Sequence, residues 1–215
     1  MHLYVYDHCP FCVKARMIFG LDQQPVEVSF LLNDDEETPN KLIGKKMLPI
    51  LVKDDNSAMG ESLDIVNYIE SLSSTPRLSS ETSEKLAQWL TQVGTYINKL
   101  LLPIMPTTDF AEFTTSSARD YYSTKKQAYI GDFGPLREQR ADFVAKINHD
   151  LTRLVEIIQS PHAVNGTLSY DDIHLFPLLR NLTLVKEIDW PAPVAALRDS
   201  LSAQSGVPLL SDLAQ

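Results

Sequence analysis

Two periodicities divide the chain. As far as about residue 72, short apolar runs alternate with polar punctuation; beyond about residue 84, apolar positions recur at helical spacing throughout. In the first part, residues 3–6 predict a strand and residues 10–19 a helix, with Gly20 as its C-cap. Pro25 opens a second strand, in which Val26, Val28 and Phe30 alternate with Glu27 and Ser29. The acidic stretch 33–37 reads as a loop. Thr38 is expected to cap a short helix with Pro39 at its first position, running to about Gly44. Leu48-Pro49 leads into a strand at 50–52, and a turn at Asp54-Asp55-Asn56 precedes a brief strand at 57–59. Residues 61–72 predict a helix with Leu63, Ile65, Val66 and Ile69 as its inner stripe. The order is β-α-β-α-β-β-α.

Residues 71–83 are polar and interrupted by Pro76, which places a linker at 73–83 between a first domain, 1–72, and an all-helical second domain, 84–215. Leu86, Trp89, Leu90, Val93, Ile97, Leu100 and Leu101 form one stripe ending at Pro103. Further helices are expected over 116–130, over 135–159, and after Trp190-Pro191. Ser169 and Asp172 have the N-cap and N3 spacing of a capping box, with Leu168 and Ile173 placed as a hydrophobic staple. The helix they begin is apolar nearly all round, hence buried, and Pro177 is expected to kink it. A catalytic reading of Ser169 and Asp172 is set aside in favour of a structural cap.

Composition narrows the choices. The chain has 215 residues, 44% of them hydrophobic, and a formal net charge of −9, which disfavours nucleic acid and anionic membrane as partners. No apolar run reaches the length of a spanning helix, and the N-terminus lacks a basic-then-apolar signal pattern. The two Asn-x-Thr triplets, at Asn165 and Asn181, are read as chance matches.

The only two cysteines, Cys9 and Cys12, stand as Cys-Pro-Phe-Cys between the first strand and the first helix. Cys9 falls at or beside the N-cap, and Pro10 takes the first helical position, where a missing N–H costs nothing. Free N–H groups and the positive end of the helix dipole then favour a Cys9 thiolate, and Cys12 lies one turn away. Lys14 and Arg16 add nearby charge. Inert thiols and half a zinc site are the alternatives; the five scattered histidines offer zinc no paired ligands, and no metal is expected. Two cysteines in a motif, with none left for a scaffold, suit a reducing cytoplasm.

A Cys-Pro-Phe-Cys site on a thioredoxin-like order, followed by an all-helical domain, resembles the glutathione transferase superfold. More closely it is similar to the large two-domain bacterial glutaredoxins, from Tyr4-Val5-Tyr6-Asp7-His8-Cys9-Pro10 through Leu31-Leu32-Asn33-Asp34-Asp35 to the run from Asp171 to Leu182. Phe11 stands where glutaredoxins usually carry Tyr, a swap expected to tune the thiol and keep activity. The resemblance implies that Pro49 is a cis-proline, with Leu48 offering its backbone N–H and C=O to a disulfide-linked peptide. It further implies that Glu61 and Ser62 hold the γ-glutamyl end of glutathione, with Pro10 and Phe11 beside it. On local sequence alone, Glu61 and Ser62 serve equally well as a helix cap. The glycine carboxylate is left unassigned, with Lys46 the only suggestion.

The expected function is therefore glutathione-dependent thiol–disulfide exchange, with Cys9 as nucleophile and Cys12 or glutathione as resolving thiol. Glutathione is the co-substrate, no cofactor is tightly bound, and the protein partners carry disulfides or glutathione adducts. A cytoplasmic monomer is expected. A cysteine-type transferase or dehydroascorbate reductase shares fold and ligand but needs no Cys12, and a non-enzymatic interaction module would not need an intact Cys9-Pro10-Phe11-Cys12.

Overall fold

The computed structural model describes all 215 residues. Strand β1 (His2–Val5) is the seed of the sheet, because both of its edges are used. It pairs in parallel with β2 (Glu27–Phe30), His2 opposite Glu27, and antiparallel with β3 (Ile50–Val52), Leu3 opposite Leu51. β4 (Ala58–Met59) adds antiparallel to β3, giving the order β2-β1-β3-β4. The parallel pair needs a crossover, and α1 (Pro10–Leu21) supplies it. α2 (Glu37–Ile43) and α3 (Ser62–Leu72) complete a thioredoxin-like half. Leu3, Val5, Ile50 and Leu51 on the sheet meet Val13, Met17 and Ile18 of α1 and Ile65, Val66 and Ile69 of α3, all fully buried.

The second half is helical: α4 (Glu84–Gly94), α5 (Ile97–Leu101), α6 (Ser116–Ile130), α7 (Phe133–Glu138), α8 (Arg140–Leu154), α9 (Tyr170–Leu182) and α10 (Ala192–Ser205). α9 lies at its centre. The box that starts it is complete: the Ser169 side chain accepts from the Asp172 backbone, and Asp172 Oδ2 accepts from the Ser169 N–H at 2.9 Å. Asp172 Oδ1 also accepts from the Val164 N–H at 2.8 Å, so one buried carboxylate ties the preceding loop to the helix. α9 continues through Pro177 to Leu182 and packs against α1, as does α10. One apolar cluster of 47 buried residues runs from the sheet through this seam to α8.

Residues 73–83 contain no helix or strand, yet they are fastened. The Glu70 carboxylate accepts from the N–H groups of Arg77 and Leu78, and the Ser79 N–H donates to Leu168 C=O at 2.7 Å.

Several expectations need correction. Gly20 is inside α1, with Asp22 at the C-cap; a Cβ on Gly20 would stand 1.7 Å from the Ser205 carbonyl oxygen, so close packing of α10 is what the glycine serves. α2 begins at Glu37, and its first turn is capped by Asp35, which accepts from the Thr38 N–H at 3.0 Å, so neither Thr38 nor Pro39 opens it. Gly44 does end it, at φ 72°. β2 starts at Glu27, two residues after Pro25; as an edge strand it leaves Val28 and Phe30 more than a third exposed, and Val28 borders a shallow hollow with α1 and the end of α10. β4 and α3 each begin one residue later than expected, at Ala58 and Ser62. The stripe 86–101 is two helices, broken at Thr95–Tyr96, and 135–159 holds a break at Gln139 and ends at Leu154.

Candidate active site

Cys9 is the N-cap of α1, with φ −77° and ψ 119°, and Pro10 follows at the first helical position. No side chain caps this helix, so its first N–H groups are left to the Cys9 sulfur. Cys9 is partly exposed and Cys12 fully buried, both as free thiols. The two sulfurs have opposite acidities. A hydrogen bond from the Cys12 thiol is the largest influence bringing Cys9 down to about 6; it outweighs burial and is joined by the charge of His8 and the N–H groups of Cys12 and Phe11. Burial pushes Cys12 well up, and so does its bond to Cys9, against the Tyr6 N–H donating to its sulfur at 3.3 Å. Desolvation and partners thus leave one thiol acidic and hold the other protonated.

The two nearby cations divide. The Lys14 ammonium is 2.9 Å from His174 Nδ1 and 5.5 Å from the Phe11 ring centre, and burial lowers its pKa against the pull of Cys9. Arg16 is bound to Asp7 at 2.5 Å and stacks over Phe30, so its charge is spent away from the sulfur.

Leu48-Pro49 is a cis peptide bond. Neither the N–H nor the C=O of Leu48 makes a backbone hydrogen bond, and its side chain is buried. Glu61 precedes α3 with φ 64°, left-handed backbone that a non-glycine residue adopts at a cost. Neither Glu61 nor Ser62 caps the helix with its side chain; Glu61 is exposed and pairs with Lys45 at 3.2 Å. The capping alternative for these two residues therefore has no hydrogen bond behind it. Lys46 donates to Asn33 C=O at 2.9 Å and to Asp35 C=O, and lies over the Tyr6 and Tyr121 rings, so its ammonium holds the acidic loop.

A groove of about 580 Å³ opens beside Cys9. Phe11, Pro10 and Lys14 form one wall; Leu101, Met105 and Leu178 from the helical half are among those facing them. No carboxylate lines it, in a chain of net charge −9. No group of three or more His, Cys, Asp or Glu side chains is arranged to hold a metal.

Sequence reasoning missed the residues that fix the loop before Cys9. Arg180, fully buried in α9, donates to Asp7 C=O and to Asp7 Oδ1, each at 2.7 Å, and Asn181 donates to His8 C=O at 2.9 Å. Glu112, on a single 3-10 turn, accepts from the His8 N–H at 2.9 Å and sits 2.6 Å from His8 Nδ1. Arg180-Asn181 could have been noticed as polar positions in an otherwise apolar helix; Glu112 gives no local signal.

Comparison with known proteins finds relatives over the whole chain. Residues 3–77 match the family model of the glutathione S-transferase N-terminal domain, and residues 85–214 that of the glutaredoxin 2 C-terminal domain. Glutaredoxin 2 of Escherichia coli K12 is 50% identical over 214 residues, covering 100% of both chains. A crystal structure of glutaredoxin 2 from Salmonella typhimurium in complex with glutathione superposes with a TM-score of 0.98 at 51% identity, covering 100% of this chain and 98% of that one. Glutathione transferase Omega 3C from Trametes versicolor shares the fold, with a TM-score of 0.60 at 16% identity over 97% of this chain and 88% of that one. The chain belongs to the glutaredoxin 2 family, glutathione-dependent thiol–disulfide oxidoreductases built on the glutathione transferase fold.

Proposed function

We propose that Cys9 is the nucleophile of this oxidoreductase and Cys12 its resolving thiol. The observation that carries the reading is the opposite treatment of the two sulfurs: Cys9 accessible and acidic at a helix N-terminus, Cys12 buried and protonated one turn away. The Cys9 thiolate attacks the glutathione sulfur of a mixed disulfide, forms a Cys9–glutathione disulfide and releases the partner's thiolate. A second glutathione thiolate then attacks that disulfide, leaving oxidised glutathione and free Cys9. With a protein disulfide as substrate, Cys9 forms a mixed disulfide with one protein sulfur and frees the other; Cys12 then attacks that mixed disulfide, its proton leaving with the released protein thiol, and two glutathione molecules re-reduce the Cys9–Cys12 disulfide.

Leu48 and Pro49, Glu61 and Ser62, with Pro10 and Phe11 beside the sulfur, are the surface on which glutathione is bound in this reading. The free backbone groups of Leu48 suit an added extended peptide, and Ser62 at the start of α3 suits the γ-glutamyl carboxylate. We further propose two domains, 1–72 and 84–215, joined by 73–83, and a monomer acting in the cytoplasm on glutathionylated or disulfide-bonded proteins. A free cysteine pair fits a reducing compartment, and no helix is long and apolar enough to cross a membrane. Light scattering of the eluted protein tests the monomer.

The experiment on mechanism compares Cys9→Ser and Cys12→Ser on two substrates. Cys9→Ser loses all activity. Cys12→Ser keeps much of its rate on a small glutathione mixed disulfide and loses far more on a protein disulfide, where an intramolecular thiol has a high effective concentration. Equal loss for both variants on the glutathione adduct would refute resolution by glutathione.

A further inference from the structure

His8 immediately precedes the nucleophile, and the structure holds it unusually hard. Its ring stacks on Tyr6 at 5.8 Å and Phe113 at 5.1 Å, meets Phe110 at 6.0 Å, and receives the edge of Tyr122 at 5.2 Å. Its carbonyl is taken by Asn181 and its N–H by Glu112. The same Glu112 oxygen lies 2.6 Å from Nδ1. Glu112 has no exposed surface, and its second oxygen has no hydrogen-bond partner.

A carboxylate among aromatic rings is costly unless a cation compensates it. The side chain in contact with Glu112 that is able to carry a positive charge is the His8 ring. Nδ1 is placed to donate to Glu112, and the ring fills the space between that carboxylate and the groove that His8 and Cys9 line together. We infer that Glu112 is a positioning residue of the redox site, holding His8 as a fixed cation beside Cys9, so that the helical half helps to stabilise the thiolate directly. The arrangement reaches across 104 residues of sequence and uses neither the helix dipole nor the Cys12 thiol. The influence of His8 on Cys9 acidity has the matching sign.

Other charged or titratable groups face this cluster. Arg180 in α9 acts on both Glu112 and Asp7; Cys12 and Lys14 in α1 and Tyr122 in α6 act on or feel Cys9. Tyr6 stacks on the His8 ring from β1's end. All of them persist in a Glu112→Gln variant, which keeps the side-chain shape and an acceptor for the His8 N–H while removing the charge.

The test is the ultraviolet absorbance of the Cys9 thiolate against pH in the full chain carrying Cys12→Ser, with and without Glu112→Gln. The expected result is a rise in the titration midpoint of about one unit, the low end of what a neighbouring charge does. The same substitution in the native Cys12 background should slow turnover of a glutathione mixed disulfide several-fold near pH 6 and leave it nearly unchanged near pH 9. A purely structural role would lower the rate equally at both. His8→Asn should shift the midpoint as much, and the double variant no further, which also covers the case in which Glu112→Gln folds poorly. An unchanged midpoint in both single variants, or a pH-independent loss, overturns the inference. This inference rests on Cys9 as nucleophile; a Cys9 without an acidic midpoint before Glu112 or His8 is substituted would overturn that reading instead.

Discussion

The α-carbon of Gly20 in α1 faces the carbonyl of Ser205 at the end of α10 so closely that a side chain has no room: an added Cβ would lie 1.7 Å from that oxygen and 2.4 Å from its carbon. Backbone cannot fold away as a flexible side chain can. Gly20→Ala should therefore destabilise by about 2–3 kcal/mol, the upper range for overpacking. It should do so by separating α1 from α10, leaving Cys9 chemistry measurable at low temperature. A urea midpoint indistinguishable from the parent protein's would show that α10 yields more easily than its packing suggests.

The acidity of Cys9 sets a pH profile. Its folded pKa is depressed to about 6, so the thiolate is present above that value and is lost as pH falls through it. Alkylation by iodoacetamide should climb up to about pH 6 and then level off, and it should label Cys9 before the buried Cys12. A rate still rising steeply between pH 7 and 9, or first labelling of Cys12, contradicts the assignment of α1's start.

Ser62 is buried at the head of α3 without capping it. Removing its hydroxyl should leave folding intact and weaken glutathione binding by one hydrogen bond to a charged group, roughly 1.5–3 kcal/mol. Ser62→Ala should thus raise the KM for glutathione about tenfold or more. An unchanged KM accompanied by a lower melting temperature would return Ser62 to a structural role.

Asp172 accepts from three donors at 2.8, 2.9 and 3.2 Å with no exposure to solvent. Asp172→Ala should cost about 2 kcal/mol, the high end for a lost cap. Catalysis at low temperature should persist. Loss of turnover in a variant whose melting curve is unaltered would mean that the carboxylate does more than start α9.

How much of this was readable in advance depends on how local each cause is. The Cys9-Pro10 start of α1, the full span of α6 and the box before α9 were legible, because caps and turn residues act within four positions. The break at Thr95–Tyr96 was hidden because Val93 and Ile97 face the same core on either side of it, so the apolar rhythm continues where the hydrogen-bond ladder does not. Gly20 was misread because a glycine demanded by a neighbour 185 residues later looks like a glycine demanded by a helix end. Glu112 was invisible as a site residue, and Arg180 showed only as a polar position in an apolar helix, since their partners His8 and Asp7 meet them only after folding.

The unbroken apolar cluster, 47 residues from the sheet to α8, has a thermodynamic consequence. Separate cores melt in separate steps, whereas a shared one has no internal surface along which to part cheaply. The mixed sheet and the helices should lose their structure at one temperature, with calorimetric and van't Hoff enthalpies in agreement. The Cys9 loop, gripped by Arg180 and Asn181, should keep its form until that single transition.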